Sequence, residues 1–167
     1  MSLTPEDLAF KARALAQGHP LTPLARRLVD RAVAGQRTDQ PLPEVGIWAD
    51  AALVAGYCVR RVEEAEAGLR PEFREAAAPD LDELDQASAR VADGLRTEAA
   101  AEHVLGDEEV TVAALDRIIA SEVTRRLQNW REDLDDAAWA ELEAYLTWWV
   151  VKGYAVRVAE MTSGALV

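Results

Sequence analysis

Apolar residues recur along most of the chain at intervals of three and four, a spacing that places them on one face of an α-helix. No stretch shows the alternating apolar and polar residues, rich in β-branched side chains, that are typical of strands. The pattern therefore predicts an all-α protein, a six-helix bundle. The helices are predicted over residues 5–17, 23–34, 44–67, 81–105, 108–130 and 135–162.

The helix ends are predicted mainly from capping residues. Thr4-Pro5 and Thr22-Pro23 each place a hydroxyl at the N-cap and proline at the first helical position, and Asp80 is the expected cap of helix four. Helix four is expected to end near Gly106. Gly94 is a candidate break within it, because glycine in a helix is about 1 kcal/mol less favourable than alanine.

Two expectations concern the core. Helix six is apolar almost all round through its middle, so we expect it at the centre of the bundle. Ile47 and Val112 are expected on the buried faces of helices three and five. Between the helices, the sequence predicts a loop over residues 36–43 and a short helical turn over 71–78.

The two most apolar helices resemble each other at an offset of 97 residues. Residues 51–64 read AALVAGYCVRRVEE and residues 148–161 read WWVVKGYAVRVAEM, with six identities in fourteen positions. This predicts a single domain over 1–167 that contains an internal repeat, 1–78 and 79–167, folded as two pseudo-symmetric three-helix units. The alternative is two similar amphipathic helices whose shared residues coincide by chance.

Each of these helices contains a glycine at the same place in the repeat, Gly56 and Gly153. A glycine inside a helix is unfavourable, and close approach of a second backbone is a usual compensating reason. We therefore predict that helices three and six cross at these glycines in the centre of the bundle.

The charge balance bounds the class of partner. The chain has 18 basic and 30 acidic side chains, a formal net charge of -12. An acidic chain is a poor binder of nucleic acid or of an anionic membrane surface, so a neutral or basic protein is the expected partner. Neither an export signal nor an uncharged apolar span is seen, and the arginine-rich and alanine-rich composition is typical of bacterial proteins. The sequence thus predicts a cytoplasmic bacterial protein.

The repeated segments also carry the candidate ligand-binding residues. Tyr57, Arg60, Glu63 and Glu64 lie three or four residues apart and share one stripe of helix three, and the first three are the candidate ligand-binding residues there. Helix six repeats the stripe with Tyr154, Arg157 and Glu160. Two arginines beside a symmetric crossing would form an anion-binding cleft, since the guanidinium group matches a carboxylate or phosphate in bidentate fashion. The simpler alternative is an arginine–glutamate pair within one helix.

Candidate catalytic and metal-ligating residues are hard to find. Cys58 is the only cysteine, and the two histidines have no metal-ligand spacing around them, so no metal and no cofactor are predicted. No known catalytic motif occurs, and the catalytic residues are left unassigned. The acidic pairs Glu63-Glu64 and Asp82-Glu83 favour, weakly, a Mg²⁺-dependent phosphohydrolase as a further alternative.

The sequence therefore favours a non-catalytic protein-interaction or regulatory module that offers an acidic face to its partner. An anion-binding or small-molecule cleft at the crossing of helices three and six, with or without enzymatic activity, is the second hypothesis. Trp148 and Trp149 point about 100° apart on helix six. Since tryptophan is enriched at interfaces, a homodimer formed through helix six is a further prediction.

Overall fold

Six helices account for most of the residues that the structure, a computed structural model, describes: 3–35, 42 and 44–167. Within these ranges no strand is present, and a single β-bridge joins Phe73 to Leu166. The all-α bundle expected from the sequence is confirmed. The helices are α1 (Pro5–Ala16), α2 (Pro23–Ala34), α3 (Val45–Glu66), α4 (Leu81–Leu95), α5 (Glu108–Ile119) and α6 (Asp136–Thr162).

Side-chain caps fix the helix starts where the sequence places them. The Thr4 hydroxyl accepts a hydrogen bond from the Asp7 amide at 3.1 Å, and Thr22 accepts one from the Ala25 amide at 3.0 Å. The Asp80 carboxylate does the same at the start of α4, at 2.8 Å from the Glu83 amide. Each cap satisfies an amide that has no partner within its helix. The predicted loop over 36–43 lies outside the described residues except for Leu42.

Helix α4 is shorter than expected. It ends at Leu95, a 3₁₀-helical segment follows over Glu98–Glu102, and the predicted end at Gly106 is wrong. The chain leaves the helix just after Gly94, where the His103 ring packs so closely that a Cβ on the glycine would lie 2.6 Å from Nε2. The short turn predicted within 71–78 is present as a 3₁₀-helical turn over Glu75–Ala77.

Helix α5 contains an irregularity that the sequence did not reveal. Its α-helical hydrogen bonding stops at Ile119, a π-helical turn follows over Ala120–Thr124, and a last α-helical turn covers Arg125–Gln128. A π-helical turn inserts one extra residue and widens the helix, and such turns are frequent at functional sites.

The core is built around α3 and α6, as predicted. Every residue of α6 from Trp149 to Glu160 is buried, while α1 packs on α3, α4 packs on α6 and α5 packs on α1. Two expectations about the core are wrong. Ile47 is 69% exposed because it lies on the first turn of α3 beside an open cleft, and Val112 is exposed because α5 turns the neighbouring Thr111 inward.

The predicted crossing of α3 and α6 at their glycines is confirmed. A Cβ on Gly56 would lie 1.9 Å from the Val150 carbonyl oxygen, and one on Gly153 would lie 2.0 Å from the Leu53 carbonyl oxygen. Real Cβ atoms essentially never approach an oxygen so closely, so only glycine fits at either position. Val150 and Leu53 are themselves 97 residues apart, so the two contacts correspond to each other in the repeat.

The apolar length of the helices bears on membrane insertion. Within the described ranges, none of the helices combines enough length with enough hydrophobicity to cross a bilayer.

Candidate functional site

The structure brings all six candidate ligand-binding residues together at the crossing of α3 and α6. Their side chains are at least nine-tenths buried and pair across the two helices rather than along each helix. Each tyrosine bonds to an arginine and a glutamate of the opposite helix. This produces two networks of the same composition, one on each side of the glycine contact.

The first network is centred on Tyr57 of α3. The Tyr57 hydroxyl donates to Glu160 at 2.6 Å and accepts from Arg157 at 2.9 Å. The second oxygen of Glu160 accepts a hydrogen bond from the hydroxyl of Thr22, the residue that caps α2. The Arg157 guanidinium also lies over the Tyr57 ring, 5.3 Å from its centroid, a distance at which a cation–π attraction operates.

The second network is centred on Tyr154 of α6. Its hydroxyl donates to Glu63 at 2.5 Å and accepts from Arg60 at 3.1 Å. Thr111 of α5 donates to the other oxygen of Glu63, at 2.5 Å. The hydroxyls in the two networks come from unrelated positions, since Thr22 is a helix cap and Thr111 lies inside a helix. The two hydroxyls therefore do not correspond in the repeat, and the internal repeat stays a prediction.

Glu64, which has no charged counterpart in the repeat, lies between the two arginines. Its two carboxylate oxygens share the single Nε–H of Arg157, both at 3.0 Å, and Nη2 donates to Oε1 at 2.8 Å. Its Oε2 atom also lies 3.7 Å from the Arg60 Nε atom. Glu64 thus occupies the position that a bound anion would take between the arginines in the second hypothesis.

Arg60 is held differently from Arg157. Its Nη1 atom donates to the backbone carbonyl of His103 at 2.6 Å, and its Nε atom is buried without a hydrogen-bond partner. The asymmetry follows from the repeat, because the position that corresponds to Glu64 is Met161 on α6. A thioether cannot pair with a guanidinium.

Burial governs the ionisation of the network. Desolvation raises the pKa of Glu63 and of Glu160 above the ordinary value of 4.5, against the opposing effect of the threonine and tyrosine hydrogen bonds. Desolvation and the adjacent glutamates raise the pKa of both tyrosines well above 10.0. The tyrosines are therefore neutral hydrogen-bond donors at physiological pH.

These contacts make the crossing a closed polar core rather than an open cleft. The two guanidinium charges face three carboxylates, so no net positive charge is left for an external anion. Arg60 and Arg157 are 6% and 4% exposed and line none of the three clefts described below. The simpler alternative, a pair within one helix, describes Arg60 and Glu64 at 3.7 Å, whereas Arg157 reaches Glu64 on the other helix.

The sequence places Glu64 on the same stripe as Tyr57, Arg60 and Glu63 but does not single it out as a ligand-binding residue. Thr22 and Thr111 were not identified as members of the site. No pattern could have identified the two threonines, because α2 and α5 bring them to the crossing from outside the repeated helices.

One side of the crossing reaches a surface pocket through Glu63. The pocket has a volume of about 300 Å³ and lies between α1, the end of α3 and the start of α5. Its carboxylates are Glu63, Glu66 and Asp107. Its apolar wall consists of Leu3, Leu8, Ala67, Leu105 and Val110. We call it the Glu63 pocket. It combines an apolar wall with acidic groups at its base and rim.

The remaining sequence candidates do not form a metal site. Within 3–35, 42 and 44–167, no three His, Cys, Asp or Glu side chains are grouped so that they could hold a metal ion. Lys152, which lies inside the apolar run of α6, is 3% exposed and bonds to the Asp85 carboxylate at 2.7 Å.

Comparison with known proteins adds no assignment. No protein family, curated protein or solved structure matches the chain. The function proposed below therefore derives from the chain's own residues.

Proposed function

We propose that the protein is a non-catalytic interaction module that takes a basic side chain of a partner protein into the Glu63 pocket. The observation that carries this proposal is a buried carboxylate at an apolar-walled surface pocket. Glu63 is 8% exposed, and Glu66 and Asp107 supply two further carboxylates. Lysine and arginine have an apolar stem and a cationic head, which match the wall and the acidic groups respectively.

The carboxylates at the rim have partners that a cation could displace or share. Glu66 pairs with Lys11 at 3.0 Å, but both side chains are largely exposed, and such a pair contributes about 0–1 kcal/mol. Asp107 caps α5 through a single oxygen, which accepts from the Glu109 amide at 2.9 Å. The net charge of -12 also favours encounter with a basic protein over long range.

The apolar part of the pocket supports a protein partner rather than a free metal or ammonium ion. Leu105 is 38% exposed at the pocket, and Leu3 and Val110 lie partly buried beside it. Covering these side chains would remove apolar surface from water at about 25 cal/mol per Å². A basic residue flanked by apolar residues on a partner would use both features.

The proposal is tested by titration of the isotope-labelled protein with two acetylated peptides, one of alternating lysine and leucine and one of alternating glutamine and leucine. We expect binding of the lysine peptide, with the largest amide shifts at Leu105, Asp107 and Val110, and no binding of the glutamine peptide. Raising the salt from 50 to 200 mM should weaken binding by about tenfold, because exposed charges are screened.

Asp107→Asn and Glu66→Gln are the variants to combine, since asparagine is as good a helix cap as aspartate. Together they should weaken binding of the lysine peptide by about tenfold, because two charge-assisted contacts are lost. Asp80→Asn is the matched control, because Asp80 caps α4 in the same way and does not line the pocket. Equal weakening by the control, or shifts centred elsewhere, would overturn the proposal.

The state of Glu63 adds a pH dependence. Burial raises the pKa of Glu63, and a cation in the pocket would favour the ionised carboxylate. Binding should therefore release a proton, and the lysine peptide should bind more tightly as the pH rises from 4.5 through the pKa of Glu63. Asp107→Asn should retain this pH dependence while lowering the overall affinity.

The other hypotheses have less support. For an anion-binding cleft at the crossing, Glu64 would first have to leave the arginines. For a Mg²⁺-dependent phosphohydrolase, no three carboxylates within the described residues are grouped so that they could hold a metal ion. For a homodimer through α6, the central residues 149–160 are not accessible, because they are covered within one chain.

A further inference from the structure

Five arginines surround two neighbouring clefts beside α1 and α5. The smaller cleft has a volume of about 260 Å³ and is lined by Arg13, Arg117 and Arg125 together with Ser121. The larger has a volume of about 660 Å³ and is lined by Arg13, Arg26 and Arg126. Arg13 belongs to both, so its side chain forms the boundary between them.

The smaller cleft is basic in a strongly acidic chain. Its three arginines face one carboxylate, that of Glu6, which leaves a lining charge of +2 in a protein of net charge -12. Among the ion pairs of the described residues, none includes Arg13 or Arg125. Their guanidinium groups are therefore available to an anion.

The π-helical turn of α5 shapes both clefts. Ala120 and Ser121 line the smaller cleft, and the next residue, Glu122, lines the larger. The division repeats at the end of the turn, where Arg125 faces the smaller cleft and Arg126 the larger. Consecutive side chains in and just after the π-helical turn thus reach two different clefts.

We propose that the smaller cleft binds the phosphate group of a small phosphorylated molecule and that the larger cleft receives its organic body. Arginine forks with a hydroxyl beside them are typical partners of phosphate oxygens. The larger cleft suits the body because it presents the apolar side chains of Ile47, Ala51 and Val54, while its other arginines are already paired. Arg26 bonds to Asp50 at 2.5 Å and Arg126 to Glu122 at 2.8 Å.

An internal carboxylate competes for the smaller cleft. Glu6 bonds to Arg117 at 2.6 Å, and both side chains are about half exposed or more. A phosphate that enters must share or displace this carboxylate. Removing the Glu6 charge should therefore strengthen binding of the anion. An anion held only by the general surface charge would respond equally to the removal of an acidic side chain elsewhere.

The experiment measures binding of phenyl phosphate, inorganic phosphate and phenol to the full chain by calorimetry and by amide chemical shifts at low salt. We expect phenyl phosphate to bind best, inorganic phosphate about tenfold more weakly because the larger cleft stays empty, and phenol not to bind measurably. The amide shifts should centre on Ser121 and Arg13 and extend to Val54 with phenyl phosphate only.

Charge variants test the residues. Arg13→Gln and Arg125→Gln should each weaken the binding of phenyl phosphate by about tenfold, because a charge-assisted hydrogen bond is lost. Glu6→Gln should strengthen its binding by about threefold. Arg27→Gln and Glu75→Gln are matched controls. Arg27 and Glu75 form an ion pair at 3.4 Å and line neither cleft. Their side chains are 52% and 65% exposed, which nearly equals the 50% and 66% of the Arg117 and Glu6 side chains.

The site is supported if Arg13→Gln weakens the binding of phenyl phosphate, Glu6→Gln strengthens it, and the controls show neither effect. Equal effects of Arg27→Gln and Arg13→Gln, or no binding of phenyl phosphate at 10 mM, would overturn it. Because the Glu63 pocket shares no residue with either cleft, failure here leaves the interaction with a basic partner unaffected, and the reverse also holds.

Discussion

At the scale of single residues, Glu64 decides how the crossing behaves. Without it, only Glu63 and Glu160 would face the two buried guanidinium groups, and the Nε and Nη2 atoms of Arg157 would lose their carboxylate acceptor. With it, Arg157 has a bidentate partner inside the protein, since Nε reaches Oε2 and Nη2 reaches Oε1. A buried charge that loses its partner is far more costly than an exposed one, so the residue is expected to matter chiefly for stability.

Replacement of Glu64 by glutamine tests this role. The amide keeps the size and one acceptor but removes the charge, so the buried Arg157 loses its bidentate carboxylate partner, and we expect a loss of about 3 kcal/mol in the free energy of unfolding. Urea denaturation measures it. Glu66→Gln, two residues further along α3, is the control. It removes an exposed pair and should cost at most about 0.5 kcal/mol. Similar losses in both variants would contradict the assignment.

The composition of the site was predictable from residue spacing, but its connectivity was not. Spacing along a helix shows that Tyr57, Arg60 and Glu63 share a stripe. It does not show that Tyr57 pairs with Arg157 rather than with Arg60, since that depends on how two helices are set against each other. The glycines, which mark the point of contact, were the only residues that located one helix relative to the other.

At the scale of elements, local chemistry determined which helix ends could be predicted. The starts at Thr4, Thr22 and Asp80 depend on a side chain and an amide three residues away, and all three are confirmed. For the end of α4 no comparable pair could be read from the sequence: the helix stops one residue after Gly94, against which the His103 ring packs. The π-helical turn in α5 changes the hydrogen-bond register without any proline or glycine, so no punctuation in the sequence announces it.

The glycine contact predicts a large effect for a small substitution. Gly56→Ala and Gly153→Ala each place a Cβ about 2 Å from a backbone oxygen of the facing helix. The helices would have to separate, so each change should destabilise the protein by about 3 kcal/mol or more, despite the better helix propensity of alanine. Thermal and urea unfolding measure the loss.

Gly94→Ala provides the control for that substitution. The new Cβ there meets only the end of the His103 side chain, which can rotate away, and alanine favours the helix. We expect a change within about 1 kcal/mol in either direction. If all three alanine variants behaved alike, the close crossing of α3 and α6 would be wrong.

At the scale of the whole molecule, the charged groups of the surface and those of the core behave differently. The chain is acidic overall, yet one cleft near α1 has a basic lining and the Glu63 pocket, on another side of the same helix, an acidic one. Inside, the networks at the crossing hold titratable groups that are neutral or internally paired. Binding at the surface sites should depend on salt, because their charges are exposed, and at the Glu63 pocket also on pH through Glu63, whereas the stability of the core should depend on pH.

Alkaline pH should therefore lower the free energy of unfolding in two stages. Burial raises the pKa of Cys58 from 9.0 to about 12 and holds the pKa of Tyr57 and Tyr154 well above 10.0. In the unfolded chain these groups lose their protons at the ordinary values, so the folded state binds more protons and stability falls as the pH rises. Each group should lower the free energy of unfolding by about 1.4 kcal/mol per pH unit above its unfolded pKa.

Urea denaturation between pH 8 and pH 11 separates the contributions. The decline should begin near pH 9 and steepen above pH 10, where the two tyrosines join the cysteine. Cys58→Ala should remove the first stage and leave the second. Tyr57→Phe combined with Tyr154→Phe should keep the first stage and remove the second. The slope of the free energy of unfolding against pH reports the buried phenols, so the result does not depend on the variant's stability at pH 8. An unchanged slope above pH 10 in the double phenylalanine variant would show that these hydroxyls are not buried at the crossing.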